Sequence, residues 1–441
     1  MASRGESRRR AATAIALAAV FALVQPIAAT PPGVSTAAGT VAGLGASAGR
    51  PNIVLITTDD QRDRDLRFMP LTRRLLEDAG TSFTGISPHP LCCPARAELL
   101  TGQYAQNNGV RSNRGAYGGY AALDNTQTLG TWLQNAGYRT AYLGKYLNGY
   151  GFWDAVGPEP GWTSWHPTIR GTYNYSNFTV SHGGRAEHVS DYQTDYFTAL
   201  ARRQIRTWSK GAAPFFLWQS YMAPHTTRRD GRWLPPRAAS RHLSLFQDLA
   251  LDTRTSPAFN EADLSDKPLE MQQRPRLDRT DIRHLERWNR QRLRALRAVD
   301  EGVAATLSTL EAVGELDNTL VIFTSDNGYL LGEHRVEGKI LGYEPSLRVP
   351  ILVRGPGFPA DTDLKATATT IDIAATIVAA AGAEPGLPLD GQDLAPVAAR
   401  VRPGADSVLI QGGPRNRRED AIGWFYRGVR TARYTYMHYL G

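Results

Sequence analysis

The sequence predicts an α/β fold, a large sheet with helices packed on its faces, followed by a smaller subdomain of short strands. Three observations predict it. After Pro51, short apolar runs alternate with longer helical patterns, the order in which strands and covering helices follow one another in such folds. Four of those runs carry polar or ionisable residues just past their carboxyl ends, the edge at which open α/β sheets bind ligands. From Gly386 to Gly441 the segments become short and strand-like.

The first run, Asn52 to Thr57, is largely apolar and β-branched, as a strand buried on both faces requires, and it leads into Asp59-Asp60. The second, Tyr138 to Leu143, ends in Gly144-Lys145; the third, Phe215 to Tyr221, is followed by Pro224-His225. The fourth, Thr319 to Thr324, is followed by Asp326-Asn327. One such ending alone reads as a turn or a helix cap; four together point to a site. The longest helical pattern precedes the fourth strand. Ile282, Leu285, Trp288, Leu293, Leu296, Val299, Val303, Leu307, Leu310 and Val313 recur mostly at spacings of three or four, with Thr280 as the expected N-cap and Gly314 as the expected C-cap. A second helical pattern spans Thr370 to Ala381. Between His225 and Thr280 runs a charged, Pro-containing excursion. The stretch from Gly149 to Glu187 reads as a loop region carrying Trp153, Trp162, Trp165, Tyr173 and Tyr175. Packing against the core is the expected role of these aromatics, a sugar-facing wall the alternative.

The amino terminus reads as targeting sequence. Arg4, Arg8, Arg9 and Arg10 precede an apolar run from Ala11 to Val24 and the small residues of Ile27-Ala28-Ala29, the order of an export signal over residues 1–29. The run is shorter than the roughly 20 residues a membrane span needs, so no stable membrane anchor is expected. The consecutive arginines also fit a loose twin-arginine signal. Residues 30–50, mostly Gly, Ala, Ser, Thr and Pro, read as a flexible linker. The expected mature protein is secreted, with its main domain at 51–381 and a small C-terminal subdomain at 382–441.

Apolar content of 42% and charged content of 21% over 441 residues are those of a globular chain. The net charge is +8, leaving +5 once the four arginines and Glu6 of the signal are removed, which suits an anionic substrate. No run of basic and aromatic residues resembles a nucleic-acid site, so nucleic acid is not an expected partner. The two cysteines, Cys92 and Cys93, are adjacent; a bridge between neighbours is severely strained and no third cysteine is present. They are therefore two small buried hydrophobes, or they are kept for chemistry.

Cys92-Cys93-Pro94-Ala95-Arg96, with Thr101-Gly102 after it, decides between these. The run resembles the signature of the type I sulfatases of the alkaline-phosphatase-like superfamily: Cys, any residue, Pro, Ser or Ala, Arg, then Thr-Gly. The resemblance extends from about Asn52 to near the end of the chain. It implies an alkaline-phosphatase-like mixed sheet flanked by helices with a smaller C-terminal antiparallel subdomain. It also implies that a dedicated maturation enzyme oxidises Cys92 to formylglycine, with Cys93 in the variable place. The chemistry agrees: a thiol has no second group with which to expel sulfate, whereas an aldehyde hydrate has two hydroxyls on one carbon. Pro94 suits the first turn of a helix, which would set Cys92 at a helix N-terminus, where anions are favoured. Arg96, one turn on, can reach back to fix the hydrate.

By the same resemblance Asp59, Asp60, Asp326 and Asn327 are metal ligands beside Cys92. Their hard oxygens suit Ca²⁺, or Mg²⁺ in its place. Asp326 is placed by the resemblance to accept the proton of the attacking hydroxyl. Lys145, His225 and Lys339 match the basic residues around the sulfate. Lysine supplies fixed positive charge, and His225 or Lys339 is the expected proton donor to the leaving alkoxide. His225 sits in Met222-Ala223-Pro224-His225. Lys339 follows Gly338, ahead of the landmark Tyr343-Glu344-Pro345-Ser346-Leu347-Arg348-Val349-Pro350.

One departure bears on substrate. Many arylsulfatases have Gly-Lys-Trp-His after the second strand, but here the order is Gly144-Lys145-Tyr146-Leu147-Asn148. That form, like Ser265-Asp266-Lys267-Pro268, resembles the N-acetylglucosamine-6-sulfatase branch. The residue that deprotonates the hydrate stays open, with His334 a candidate. The end at Gly441, soon after Tyr434-Thr435-Tyr436, carries the expectation of a shortened C-terminus. The sequence thus predicts hydrolysis of a sulfate ester, on a small molecule or a glycan such as 6-O-sulfated N-acetylglucosamine. A general arylsulfatase, a phosphate or phosphonate ester hydrolase of the same superfamily and a non-catalytic sulfoglycan-binding protein are the alternatives.

Overall fold

Seven consecutive buried residues, Asn52–Thr58 (β1), run through the middle of a ten-stranded sheet. The computed structural model describes residues 49–151, 157–416, 419 and 422–440; the expected signal at 1–29, nearly all of the expected linker and Trp153 lie outside them. Five strands follow β1: Thr81–Ile86 (β2), Arg139–Gly144 (β3), Ser164–Arg170 (β4), Phe178–His182 (β5) and Arg185–Val189 (β6). Phe215–Ser220 (β7) precedes a hairpin of Thr227–Arg229 (β8) and Arg232–Leu234 (β9). Then come Thr319–Ser325 (β10), the short ribbon Leu330–Leu331 (β11) and Glu337–Gly338 (β12), and finally Ile351–Arg354 (β13) and Thr362–Thr369 (β14).

The sheet order is β14-β2-β13-β10-β1-β7-β3-β4-β5-β6. β10, β1, β7, β3 and β4 pair in parallel, whereas β13 is antiparallel to both its neighbours and β5 is antiparallel to β4 and β6. The sheet is mixed, as expected. Alternate residues of β1 feed different cores, as a strand covered on both faces must. Ile53 and Leu55 join Trp132, Tyr142, Trp162, Trp165 and Trp218 on one face; Val54 and Ile56 join Phe197, Leu217, Leu296 and Phe323 on the other.

Two sequence readings change here. The long helix spans Arg279–Ala312 and is capped by Asp278, not Thr280. The Asp278 carboxylate accepts the N–H groups of both Thr280 and Asp281, which the Thr280 hydroxyl, already on the second helical residue, is not placed to do. The stretch read as loop between Gly149 and Glu187 contains β4, β5 and part of β6. Pro167 inside β4 hides that strand from pattern reading. Its aromatics mostly do what packing predicts: Trp162, Trp165 and Tyr175 are buried in the core. The helix Thr370–Ala381 agrees with its pattern, from the Thr369 cap to Gly382 at φ 57°.

Ser407–Gly412 (β15), Tyr426–Thr431 (β16) and Thr435–Tyr439 (β17) form the expected small antiparallel sheet. Val408, Ile410, Phe425 and Tyr426 pack in one cluster with Ile86, Leu330 and Leu347, beside the large sheet.

Candidate active site

Register brings the site together. Thr58 lies opposite Ser325, Thr57 opposite Ser220, and Gly144 opposite Ser220, so β1, β3, β7 and β10 end nearly level. The residues just past each strand therefore emerge at one edge: Asp59-Asp60, Lys145, the turn to His225, and Asp326-Asn327. The Cys92–Thr101 helix starts at the same edge. Leu91 is extended and Cys92 is the first helical residue, with Pro94 inside the first turn, where a missing N–H loses no bond. All ten residues of this helix are buried, Arg96 among them.

Arg96 ties the floor into one network. Its Nη2 donates to Asp59 Oδ2 at 2.9 Å, its Nε to Asp326 Oδ2 at 3.0 Å, and its Nη1 to Lys145 O at 2.8 Å and Ser220 Oγ at 2.6 Å. Lys145 Nζ bonds Asp59 Oδ2. Lys339 Nζ bonds Asp60 Oδ1 and stands 2.8 Å from Cys92 Sγ, and that sulfur lies 3.6 Å from Asp59 Oδ1. His225 Nδ1 shares a 2.8 Å bond with Thr226 O. Nε2 is left 3.9 Å from Asp59 Oδ1 and 3.7 Å from Asp60 Oδ2. Asp60 takes φ 69°, the left-handed region; its N–H donates to Asp326 Oδ1 at 3.2 Å and its carbonyl accepts from the buried Arg292.

Charge balance follows from these contacts. Burial raises the Asp59 carboxyl, but Lys145, His225, Arg96 and Lys339 overcome it and hold the group well below its ordinary range. Asp60 is likewise lowered, chiefly by Lys339, against the effect of burial. Burial, with Asp59 beside it, pushes Asp326 up to about 8 in spite of Arg96. Burial lowers His225, an effect that the two aspartates only partly offset. Burial also pushes the Cys93 thiol up to about 12, so the neighbour of Cys92 is an inert thiol.

The residues suit a divalent cation. Ligand atoms of Asp59, Asp60, Cys92 and His225 lie within 4.8 Å of one another. The Lys339 ammonium reaches Asp60 Oδ1 and lies 3.5 Å from Asn327 Oδ1, so a positive charge already stands where these oxygens converge. Asp326 is buried beside them, its Oδ2 accepting from Arg96 at 3.0 Å and its Oδ1 from the Asp60 N–H at 3.2 Å. Asp59, Asp60, Asp326 and Asn327 add hard oxygen donors, the kind a divalent cation takes.

A family model for sulfatases matches residues 51–383. The chain belongs to the sulfatase family. The human N-acetylglucosamine-6-sulfatase is 33% identical to this sulfatase over 374 residues, covering 81% of this chain and 66% of the human protein. The extracellular sulfatase SULF-1 homolog of Drosophila melanogaster is 33% identical over 391 residues, covering 85% of this chain and 34% of that protein. The chain thus spans less than two thirds of the length of either relative. A solved protein in complex with its substrate D-glucosamine-2-N,6-O-disulfate is 23% identical, covers 89% of each chain and has a TM-score of 0.71, which shows a shared fold. Among the described residues no helix is long and apolar enough to cross a membrane.

The floor of this sulfatase brings together every residue that the sequence assigns to it: Asp59, Asp60, Cys92, Arg96, Lys145, His225, Asp326, Asn327 and Lys339. His334 is not among them. It bonds Glu261 through Nδ1 at 2.6 Å, packs tilted against Tyr343 with centroids 4.3 Å apart, and lines a different cavity. Lys267 pairs with Asp266 at 2.7 Å, and neither lines the cleft over Cys92. That cleft has walls the sequence reading missed: Asn113, Arg114, Arg228, Trp233, Trp288 and Tyr329. Asn113, Arg114 and Tyr329 come from loops, Arg228 and Trp233 from the β8–β9 hairpin, and Trp288 from the long helix, where its spacing reads as packing. Tyr173 does reach the cleft; its ring lies 4.7 Å from His225 and 4.9 Å from Lys145 Nζ.

Proposed function

We propose that the chain hydrolyses sulfate esters on a carbohydrate such as 6-O-sulfated N-acetylglucosamine. It would do so through formylglycine made from Cys92 and with Ca²⁺, or Mg²⁺ in its place, held by Asp59, Asp60, Asp326, Asn327 and the modified residue 92. The observation that carries the reading is Cys92 Sγ at the floor of an open cleft, against Lys339 and Asp59. As an aldehyde hydrate, residue 92 supplies two hydroxyls on one carbon, one to attack sulfur and one to expel sulfate. The cation supplies charge that offsets the sulfate oxygens.

Around that residue the chain holds its own groups in place. Arg96 fixes Asp59 and Asp326, so their orientation is set before substrate arrives. Lys145 and Lys339 bring positive charge to the sulfate. His225, whose Nδ1 is engaged with a carbonyl while Nε2 faces the aspartates, and Lys339 are the groups that return a proton to the leaving alkoxide. Asp326 takes the proton of the attacking hydroxyl. Export after cleavage of residues 1–29, oxidation of Cys92 by a maturation enzyme, and the division at 381/382 belong to the same proposal. The likeness to an N-acetylglucosamine-6-sulfatase and the Lys145-Tyr146-Leu147-Asn148 sequence support the sugar assignment.

The test uses protein whose Cys92 peptide shows aldehyde or hydrate mass and whose Cys93 is unmodified. kcat/KM is compared for 6-O-sulfated N-acetylglucosamine, a simple aryl sulfate and a phosphonate monoester. The sugar sulfate is expected to lead. If the aryl sulfate leads, the protein is a general arylsulfatase; if the phosphonate leads, it is an ester hydrolase of the sister class.

A further inference from the structure

The cleft above Cys92 encloses about 1260 Å³, more than the ~300–1,000 Å³ that surrounds a drug-sized ligand. One sulfated hexosamine leaves much of it unfilled. Arg114, Arg228 and Trp233 line the same cleft, and neither arginine is bonded to the charge network of the floor.

Two of these three sit on a fixed support. Arg228 and Trp233 are cross-strand partners in the β8–β9 hairpin, which turns through Asp230-Gly231 with φ of 49° and 76°. Positive φ at both turn residues is what a two-residue hairpin needs. The hairpin grows directly out of His225-Thr226 and is tied to the cleft wall. Thr227 Oγ1 donates to Tyr173 O at 2.7 Å and Arg228 N–H to the same carbonyl at 3.2 Å. The Trp233 ring packs edge-on to Tyr173 at 5.2 Å and against His225 at 5.5 Å. Yet Trp233 remains 49% exposed, an apolar face held open beside the reaction centre.

The charges are open as well. Arg114 and Arg228 are exposed and have no carboxylate partner among the described residues, and Arg228 lies 5.5 Å over the Trp233 ring. Arg415 in the same lining is paired with Glu270 and Glu419. Among the described residues other surface arginines also lack a carboxylate partner, Arg232 for one. What sets Arg114 and Arg228 apart is the cleft they share with Cys92. A guanidinium fork matches the paired oxygens of sulfate and carboxylate alike, and an indole face packs on the C–H face of a pyranose. The floor's lysines are committed to the scissile sulfate, so a second anion needs its own partners.

We infer that Arg114, Arg228 and Trp233 form a second binding subsite, taking a sulfate or carboxylate on a sugar linked to the one that carries the scissile sulfate. The preferred substrate is then an oligosaccharide with at least two anionic groups. The inference rests on the sulfatase reading above.

Binding and turnover separate the two. Cys92→Ala protein, which cannot turn substrate over, is titrated calorimetrically with three disaccharides that contain 6-O-sulfated N-acetylglucosamine. One carries a uronate neighbour, one a second sulfate, and one a neutral neighbour. Either second anion is expected to tighten Kd roughly tenfold or more, the scale of charge-assisted hydrogen bonds. Arg114→Gln/Arg228→Gln in that background should erase the gain and leave the neutral disaccharide's Kd unchanged. The same double substitution in formylglycine-containing protein should leave kcat/KM on a small aryl sulfate unchanged, which shows an intact fold. Equal Kd for all three disaccharides, or equal weakening of all three in the double variant, overturns the inference. If the binding gain is present but no sulfate ester is ever hydrolysed, the subsite stands and the hydrolase reading falls.

Discussion

The floor of the cleft and its rim use the same residue types and differ in what those residues are bonded to. On the floor, Arg96 donates four hydrogen bonds while wholly buried, and every lysine and aspartate touches another charged group. On the rim, Arg114 and Arg228 are exposed with no carboxylate partner among the described residues, and Trp233 is half exposed. A floor so connected cannot adjust cheaply. Removing one member leaves a buried charge uncompensated, which costs about 3–5 kcal/mol. Such a floor suits a reaction centre, where charge must stand in one place before the substrate arrives. The rim suits recognition, where partners differ in shape and the protein supplies half of each ion pair. Four predictions probe this contrast, beginning deep in the floor.

Cys92→Ala should have the largest effect. Turnover is expected to fall by roughly 10⁵-fold or more, the scale of removing a nucleophile, with circular dichroism and Tm nearly unchanged because the alanine stays buried at the helix start. An active preparation whose Cys92 thiol is intact in every molecule would remove the mechanism.

Chelation comes next. Stripping divalent cations is expected to lower kcat by about a hundredfold or more, with calcium or magnesium restoring it. Full activity in verified metal-free protein would strike Asp59, Asp60, Asp326 and Asn327 from the ligand set and turn the floor into a purely protein-based charge relay.

A smaller effect tests how the floor is held. Arg292 is fully buried, bonds the Asp60 carbonyl, and reaches Asp65 at 3.2 Å, while Asp65 keeps Arg62 at 2.7 Å. It touches no expected ligand side chain, yet it supports the one aspartate of the floor with a left-handed backbone. Arg292→Lys should weaken calcium binding by calorimetry roughly 10–100-fold, as loss of an outer support typically does, while kcat at saturating calcium recovers most of its value. Unchanged calcium affinity would show that Asp326, Asn327 and Lys339 suffice to hold Asp60.

The same contrast governs what was legible in the sequence. The floor was readable because each parallel strand delivers its residues within a few positions of its end, so Asp59-Asp60 and Asp326-Asn327 stand as contiguous motifs. Chain order then needs only strand register to bring them together. Arg96 was readable for the same reason, one helical turn from Cys92. The rim is assembled from separate elements: Arg114, Tyr173 and Tyr329 from loops, the β8–β9 hairpin, and Trp288 from the long helix. No period or spacing links them. The Asp230-Gly231 turn flanked by Arg-Arg and Arg-Trp-Leu is the one local signal, and a charged excursion hides it. β4 is masked because Pro167 and the surrounding aromatics break its alternation. The cap of the long helix shifts by two residues because Asp278 and Thr280 are both good cap residues and only backbone geometry selects between them.

Asn148 stands where floor and rim meet, and it carries the last prediction. Its backbone N–H donates to the buried Cys93 Sγ at 2.9 Å, and its side-chain Nδ2 donates to Tyr173 OH at 2.7 Å. Tyr173 in turn lies beside Lys145 and His225 on the floor and Trp233 on the rim. Asn148→Ala leaves the backbone bond intact and removes the tie to Tyr173, together with the 3.3 Å contact that its side-chain oxygen accepts from Cys93 Sγ, so the ring loses its fixed height above the cleft. A sugar ring must be oriented against that wall to present its ester for in-line attack, whereas an aryl sulfate, with its better leaving group, reacts with less help from the wall. The variant is therefore expected to lose about tenfold in kcat/KM on 6-O-sulfated N-acetylglucosamine and only about twofold on an aryl sulfate, the size of one lost neutral hydrogen bond felt by one substrate. Tyr173→Phe, which removes the same bond from the other side, should reproduce the split. If both variants lower both substrates equally, Tyr173 belongs to the floor, and the line between reaction centre and recognition surface runs outside it, along the β8–β9 hairpin.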